Sequence, residues 1–168
     1  MSISLTTIQG MATLGVSTNT RLLGAAIINA DHLEDYSIHL HKQPWSPSKA
    51  NLIINSLEAC VRRYCIKTIV LSIPYAYHQT KAWQYLSACI CRHFEAKNIT
   101  VIQKEIEALY SLCPKEQKKT KKVLMQSILQ WFPELVYCYR KECRNKSKYY
   151  IKLFEAVGAA MIQERQEA

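Results

Sequence analysis

The sequence predicts an α/β fold: a mixed five-stranded sheet, with three antiparallel strands first and parallel strands after them, flanked by helices. Three observations predict it. Short extended segments bounded by turn residues open the chain. A nearly continuous β-branched run, Ile66 to Ile73, has the composition of a strand buried on both faces. Beyond it, segments of helical period alternate with a strand and then run to the end. The chain has 168 residues, 49% of them hydrophobic, enough to bury a sizeable core. No linker, repeat or composition break divides it, so residues 1–168 read as a single domain.

Taken in order, Ala12 to Ser17 reads as a short apolar strand, Thr18-Asn19 as a polar turn, and Arg21 to Asn29 as the second strand of a hairpin. Glu34 to His41 alternates Tyr36, Ile38 and Leu40 with Ser37, His39 and His41, the period of a strand with one solvated face. Pro44-Trp45-Ser46-Pro47 breaks the chain; Ser46 offers an N-cap and Pro47 a first helical residue, and the helix runs to about Tyr64. Leu52, Ile53, Leu57, Cys60 and Val61 give it one apolar face. After the strand ended by Pro74, a helix spans about Gln79 to Lys97. Its stripe of Trp83, Leu86, Ile90 and Phe94 is read as core-facing, an interface being the other use of such a stripe. Ile99 to Gln103 is a short strand. Helices are expected at 105–113, 116–132 and 146–165, the first two ended by Pro114 and Pro133. Tyr137 to Arg140 reads either as a loop or as a short strand.

Charge narrows the function. The formal net charge is +9, and it is unevenly placed. Residues 115–152 carry 11 basic and 3 acidic residues, whereas residues 1–114 carry 10 and 7. The basic stretch holds Lys115, Lys118, Lys119, Lys121, Lys122, Arg140, Lys141, Arg144, Lys146, Lys148 and Lys152, interleaved with Tyr137, Tyr139, Tyr149 and Tyr150. Cationic side chains at this density neutralise phosphates and aromatic rings stack on bases, so nucleic acid is the expected partner; a merely solvated lysine-rich surface is the plain alternative.

Other classes lose support. No apolar run approaches the roughly 18 to 20 residues of a membrane span, and Met1–Gly10 lacks the basic start and apolar stretch of an export signal, so a soluble, cytoplasmic chain is expected. The seven cysteines are scattered without paired CxxC spacing, which favours buried thiols over zinc. Neither GxGxxG nor GxxxxGK[ST] occurs, so nucleotide-binding enzymes of those types are not supported. The five histidines form no recognisable triad motif; His39 and His41 share a strand face, where solvated side chains are the plain reading. Trp45 and Trp131 each lie beside a proline at a helix boundary and are read as packing anchors.

Three stretches carry a family resemblance. Leu14-Gly15-Val16-Ser17-Thr18-Asn19-Thr20-Arg21-Leu22-Leu23-Gly24 is similar to a strand ending in Gly-Ile-Asp, a turn, and a strand with glycine. Lys118 to Leu135, with Lys121, Lys122, Val123, Ile128 and Leu129, looks like a lysine-bearing helix before a last helix. Lys152-Leu153-Phe154-Glu155-Ala156-Val157-Gly158-Ala159-Ala160 resembles a closing Asp-x-x-Asp-Ala-x-x-x-Ala helix. In this order they resemble the RNase H-like fold, and within it the RuvC and YqgF branch of Holliday-junction resolvase-like proteins. The resemblance implies a nuclease in which four carboxylates hold two Mg²⁺ ions that activate water and stabilise the leaving oxygen.

The departures from that pattern matter more. Ser17 stands at the first-strand aspartate position, Ser72, Ile73 and Pro74 end the middle strand without a carboxylate, Gln103-Lys104 replaces Asp-Glu, and Lys152 replaces the first acidic residue of the last helix. Only Glu155 matches cleanly, with Glu105 and Glu107 as weaker acidic candidates. Lys152 is positioned at i, i+3 to pair with Glu155 and close the former metal site. The expectation is therefore a nucleic-acid-binding protein without nuclease chemistry and without a cofactor, using Lys118, Lys119, Lys121, Lys122, Arg140, Lys141, Arg144, Lys146 and Lys148 on branched or duplex DNA. Two alternatives remain open: a Mg²⁺- or Mn²⁺-dependent resolvase with atypical ligands, and a protein-interaction module, such as a homodimer.

Overall fold

The computed structural model describes residues 12–167, so Met1–Gly10, read above for an export signal, lies outside the described residues. Five strands, β1 (Thr13–Thr18), β2 (Leu22–Asn29), β3 (His32–Leu40), β4 (Thr68–Ile73) and β5 (Thr100–Glu105), form one sheet in the order β3-β2-β1-β4-β5. β1, β2 and β3 pair antiparallel, and β4 pairs parallel with both β1 and β5. This is the predicted mixed sheet. The helices are α1 (Pro47–Tyr64), α2 (Lys81–Glu95), α3 (Ile106–Leu109), α4 (Lys121–Trp131), α5 (Val136–Arg144) and α6 (Ile151–Glu167). Among the described residues no helix is long and apolar enough to cross a membrane.

Alternation along the strands sorts the core into two layers. Leu14 and Val16, with Leu23, Ala25 and Ile27 of β2 and Ile69 and Leu71 of β4, pack with Ile53 and Leu57 of α1 and Leu86, Ile90 and Phe94 of α2. The α2 stripe, Trp83 included, is buried and belongs to the core. On the opposite face Ala26, Ile28 and Val70 pack with Phe154, Ala156, Val157 and Ala160 of α6, and Leu109, Leu124 and Ile128 cover that helix. Ser46 caps α1 as expected, its hydroxyl accepting from the Lys49 N–H, with Pro47 in the first turn.

The structure corrects the sequence reading at five places. Tyr137 to Arg140 is neither loop nor strand but the middle of α5, because buried Leu135 and Cys138 and half-buried Tyr139 recur at helical spacing over the α6 layer. The final helix begins at Ile151 rather than 146. Glu142 causes this: its carboxylate accepts the backbone N–H groups of Tyr149 and Tyr150 at 2.7–3.2 Å, which holds 145–150 as a loop. The expected helix 105–113 is one α turn followed by a 3₁₀ turn, Tyr110–Leu112, and Glu105 is the last residue of β5. Of the seven thiols only Cys113 and Cys138 are buried, and Cys65 and Cys143 are exposed. Nor is Trp131 a packing anchor: it is 57% exposed, with the Arg165 guanidinium 4.2 Å from its ring centroid.

Candidate functional site

Topology decides where a site can form. From β1 the chain turns back antiparallel into β2, whereas from β4 it crosses through α2 to β5 on the other side. The carboxyl ends of the adjacent parallel strands β1 and β4 therefore feed connections that leave in opposite directions, and a crevice opens between them. A cavity of about 540 Å³ lies there. Its walls are the β1–β2 turn from Thr18 to Leu22, the segment after β4 with Pro74, Tyr75, Tyr77 and His78, and the amino ends of α2, α4 and α6. The turn is rigid: Asn19 Oδ1 accepts the N–H groups of Arg21 and Leu22 at 2.8 and 2.7 Å, and the buried Trp83 indole donates to the Thr18 carbonyl at 3.1 Å.

Two glycines set the floor. A Cβ on Gly15 would lie 1.9 Å from the Ala156 carbonyl oxygen, and one on Gly24 would lie 2.3 Å from the Lys152 carbonyl oxygen. Only hydrogen at these positions lets α6 press its backbone onto the sheet. Ser17 pairs across from Gly24, so the first turns of α6 stand directly over it. Glu155, 2% exposed, thereby reaches Ser17, whose hydroxyl donates to Glu155 Oε2 at 3.0 Å. Lys152 Nζ donates to the same oxygen at 3.4 Å. Glu155 Oε1 and Ser72 Oγ are buried without a hydrogen-bond partner.

Around this carboxylate the electrostatics are cationic. Arg21, Lys121, Lys148 and Lys152 line the cavity, and Glu155 is the one acidic residue among its lining. Burial pushes the Lys121 ammonium down, Lys148 and Lys152 add to the effect, and Glu155 opposes it. Tyr110 beneath them is pushed up to about 12, first by burial and then by Tyr75 and the Glu155 carboxylate. At the mouth Tyr77, 78% exposed, stacks on Tyr75 with centroids 5.4 Å apart and planes at 5°.

The residues singled out from the sequence divide accordingly. Ser17, Lys152 and Glu155 meet, and the expected Lys152–Glu155 pair forms. Lys121 and Lys148 join them in the cleft. Lys118, Lys119 and Lys122 are exposed beside Lys121, Lys146 is exposed on the loop before α6, and Arg140, Lys141 and Arg144 lie on α5, outside the cleft lining. Glu105 and Glu107 are exposed and line a separate depression with Ile73, Pro74 and Gln79. Arg21, Tyr75, Tyr77 and His78 were not anticipated; an aromatic run placed just after the parallel strand was the available signal.

Two divalent cations need several anionic oxygens. Here the donor set offers one carboxylate, and one of its oxygens already serves Ser17 and Lys152. Three lysine ammonium groups share the space, and their charge repels a cation. Among the described residues no group of three or more His, Cys, Asp and Glu is placed to hold a metal ion. This donor set does not fit a two-cation site.

No protein-family model matches the chain, and no curated protein sequence matches it. Solved structures do. RuvC of T. thermophilus in complex with Holliday junction substrate aligns with a TM-score of 0.70 at 11% identity, covering 94% of this chain and 95% of that one. A second Thermus thermophilus RuvC structure gives a TM-score of 0.66 at 11% identity, over 90% and 92% of the two chains. Fowlpox virus resolvase, solved with substrate Holliday junction DNA, gives 0.55 at 14% identity, over 94% and 99%. At these identities the likeness is one of fold, and the chain accordingly has the RNase H-like α/β fold seen in RuvC.

Proposed function

We propose that this chain binds nucleic acid, branched or duplex DNA foremost, through the β1–β4 cleft and the lysine-rich surface beside it, without metal-dependent strand cleavage. One observation carries the reading: four cationic side chains and three helix amino ends converge on a cleft whose single carboxylate is bonded by Ser17 and Lys152. Each helix amino end adds about half a positive charge, so the cleft attracts an anion directly rather than through bound cations. Phosphate is the anion that matches exposed lysines along the approach, and rings at the mouth suit bases or sugars next to it. That the structural neighbours named above include two solved with Holliday junction DNA supports a branched substrate.

The test is retention of four-way junction, duplex and single-stranded DNA and RNA across a salt series. Counterion release requires affinity to fall steeply as salt rises. Binding that ignores salt, or none at low salt, refutes the reading.

A second reading rests on one specific observation. Glu155 Oε1 and Ser72 Oγ, both buried and unpartnered, are oxygens of the kind a Mg²⁺ or Mn²⁺ ion takes. On that reading the chain is a cleaving resolvase with atypical ligands, and Mn²⁺-dependent scission abolished by Glu155→Gln would establish it.

A further inference from the structure

We infer that the cleft selects a terminal phosphomonoester, the doubly charged phosphate at the end of a strand, over the phosphodiester of a continuous strand. The inference rests on the cleft being the nucleic-acid site and specifies which phosphate it takes.

Charge distribution inside the cavity points to it. Lys152 is paired with Glu155 Oε2, and Arg21, Lys121 and Lys148 bring the cations of the lining to four against that one carboxylate. Lys121 and Lys148 line the same cavity, Lys121 half-buried and Lys148 at its exposed edge, so two ammonium groups face one volume. Like charges so placed repel, and an anion between them removes the repulsion. A phosphodiester brings one negative charge and leaves the pair half neutralised. A phosphomonoester near neutral pH brings close to two, and three equivalent oxygens to accept from both lysines and from the helix amino ends.

The backbone arrangement supports a fixed phosphate position. Lys121 is the first residue of α4, behind its N-cap Thr120. Lys152 is in the first turn of α6, and Thr80 caps α2, whose Trp83 lines the same wall. Three helix amino ends therefore face one volume. Lys148 is brought there by Glu142, which fixes the loop before α6 through the Tyr149 and Tyr150 N–H groups. The volume of about 540 Å³ falls within the range of small-ligand pockets, so it has room for a whole terminal nucleotide as well as its phosphate.

The experiment uses the full chain and 3′-labelled oligonucleotides of one sequence ending in a 5′-phosphate, a 5′-hydroxyl or a 5′-methyl phosphate. The methyl ester keeps the size of the group and removes one charge. We expect the 5′-phosphate to bind about ten-fold more tightly than either other end. Lys148→Ala and Lys121→Gln should bring the three ends to within about two-fold of one another; Lys148 is exposed, so its variant should melt like the parent. Inorganic phosphate and a nucleoside 5′-monophosphate, added as competitors and in thermal melts, separate a strand end from a free nucleotide as the source. Equal affinity for all three ends overturns the inference and leaves nucleic-acid binding standing. If no strand binds but the monophosphate raises the melting temperature in a Lys148-dependent way, the monoester site stands and the nucleic-acid reading falls. If neither strands nor monophosphates bind, both fall.

Discussion

Replacing Glu155 by glutamine changes the charge of the cleft and almost nothing of its shape, and the two readings of the site predict opposite results. Glu155 is 2% exposed, and the Lys152 side chain that pairs with it is 16% exposed. Removing one partner of a fully buried ion pair costs about 3 to 5 kcal/mol. Here Lys152 keeps a path to solvent, and the glutamine carbonyl still accepts from the Ser17 hydroxyl, so a loss of about 1 to 2 kcal/mol is expected. Binding should move the other way. A carboxylate about 7 Å from a bound phosphate, at an effective dielectric of about 40, repels it by about 1 kcal/mol, so Glu155→Gln should bind DNA about five-fold more tightly. Anisotropy titration of labelled junction and duplex at fixed salt, alongside thermal melts of both proteins, measures the two effects together. Weaker DNA binding by Glu155→Gln with an intact fold, or loss of a metal-dependent activity, refutes the reasoning.

Three further predictions follow from other parts of the molecule. Gly15→Ala drives a methyl group to 1.9 Å from the Ala156 carbonyl oxygen and should cost about 3 kcal/mol, lowering Tm by about 10 °C, whereas Gly158→Ala, whose nearest neighbour is at 3.4 Å, should melt close to the parent. Lys121→Gln should reduce the slope of log affinity against log salt by about one, read from binding at four or more salt concentrations, with little change in the order of preference among junction, duplex and single strand of matched ends. Glu58 sits between α1 and α2 with its carboxylate bonded by Lys97 and by His93, the latter at 2.5 Å, and these partners hold its pKa below the ordinary 4.5. The stability this carboxylate confers is complete above the ordinary value and is lost as pH falls through the lower folded value, so Glu58→Gln should be less stable than the parent at neutral pH and converge with it in acid. Melts from pH 7 to about pH 3 check this; a constant gap contradicts it.

Local signals sufficed for most of the sheet and not for the cleft. Alternation at Tyr36–His41, the cap and proline at Ser46-Pro47 and the β-branched run ending at Ile73 each act within one element, and each placed its element within a few residues. α5 was missed because its nine residues hold tyrosines and cysteine with ordinary helix propensity; Leu135 and Cys138 settle the matter by packing over α6. The start of α6 was missed for a similar reason, since Glu142 ends the loop from seven or eight residues away. Ser17 and Glu155 stand 138 residues apart, and their hydrogen bond depends on Gly15 and Gly24 admitting α6 to the sheet. Lys152 beside Glu155 was legible from helical spacing. The convergence of Arg21, Lys121 and Lys148 on the same cavity was not, because it requires the amino ends of two helices and a turn to meet.

The central claim is that ammonium groups, not metal ions, meet the phosphate in this cleft. The most direct test is to incubate the full chain with a labelled four-way junction in EDTA, in Mg²⁺ and in Mn²⁺, scoring retained complex and cut strand in the same samples. The account predicts equal retention in EDTA and in low Mg²⁺ at matched ionic strength, with no cut strand in any sample. Retention that requires the metal, or Mn²⁺-dependent scission lost in Glu155→Gln, would contradict it.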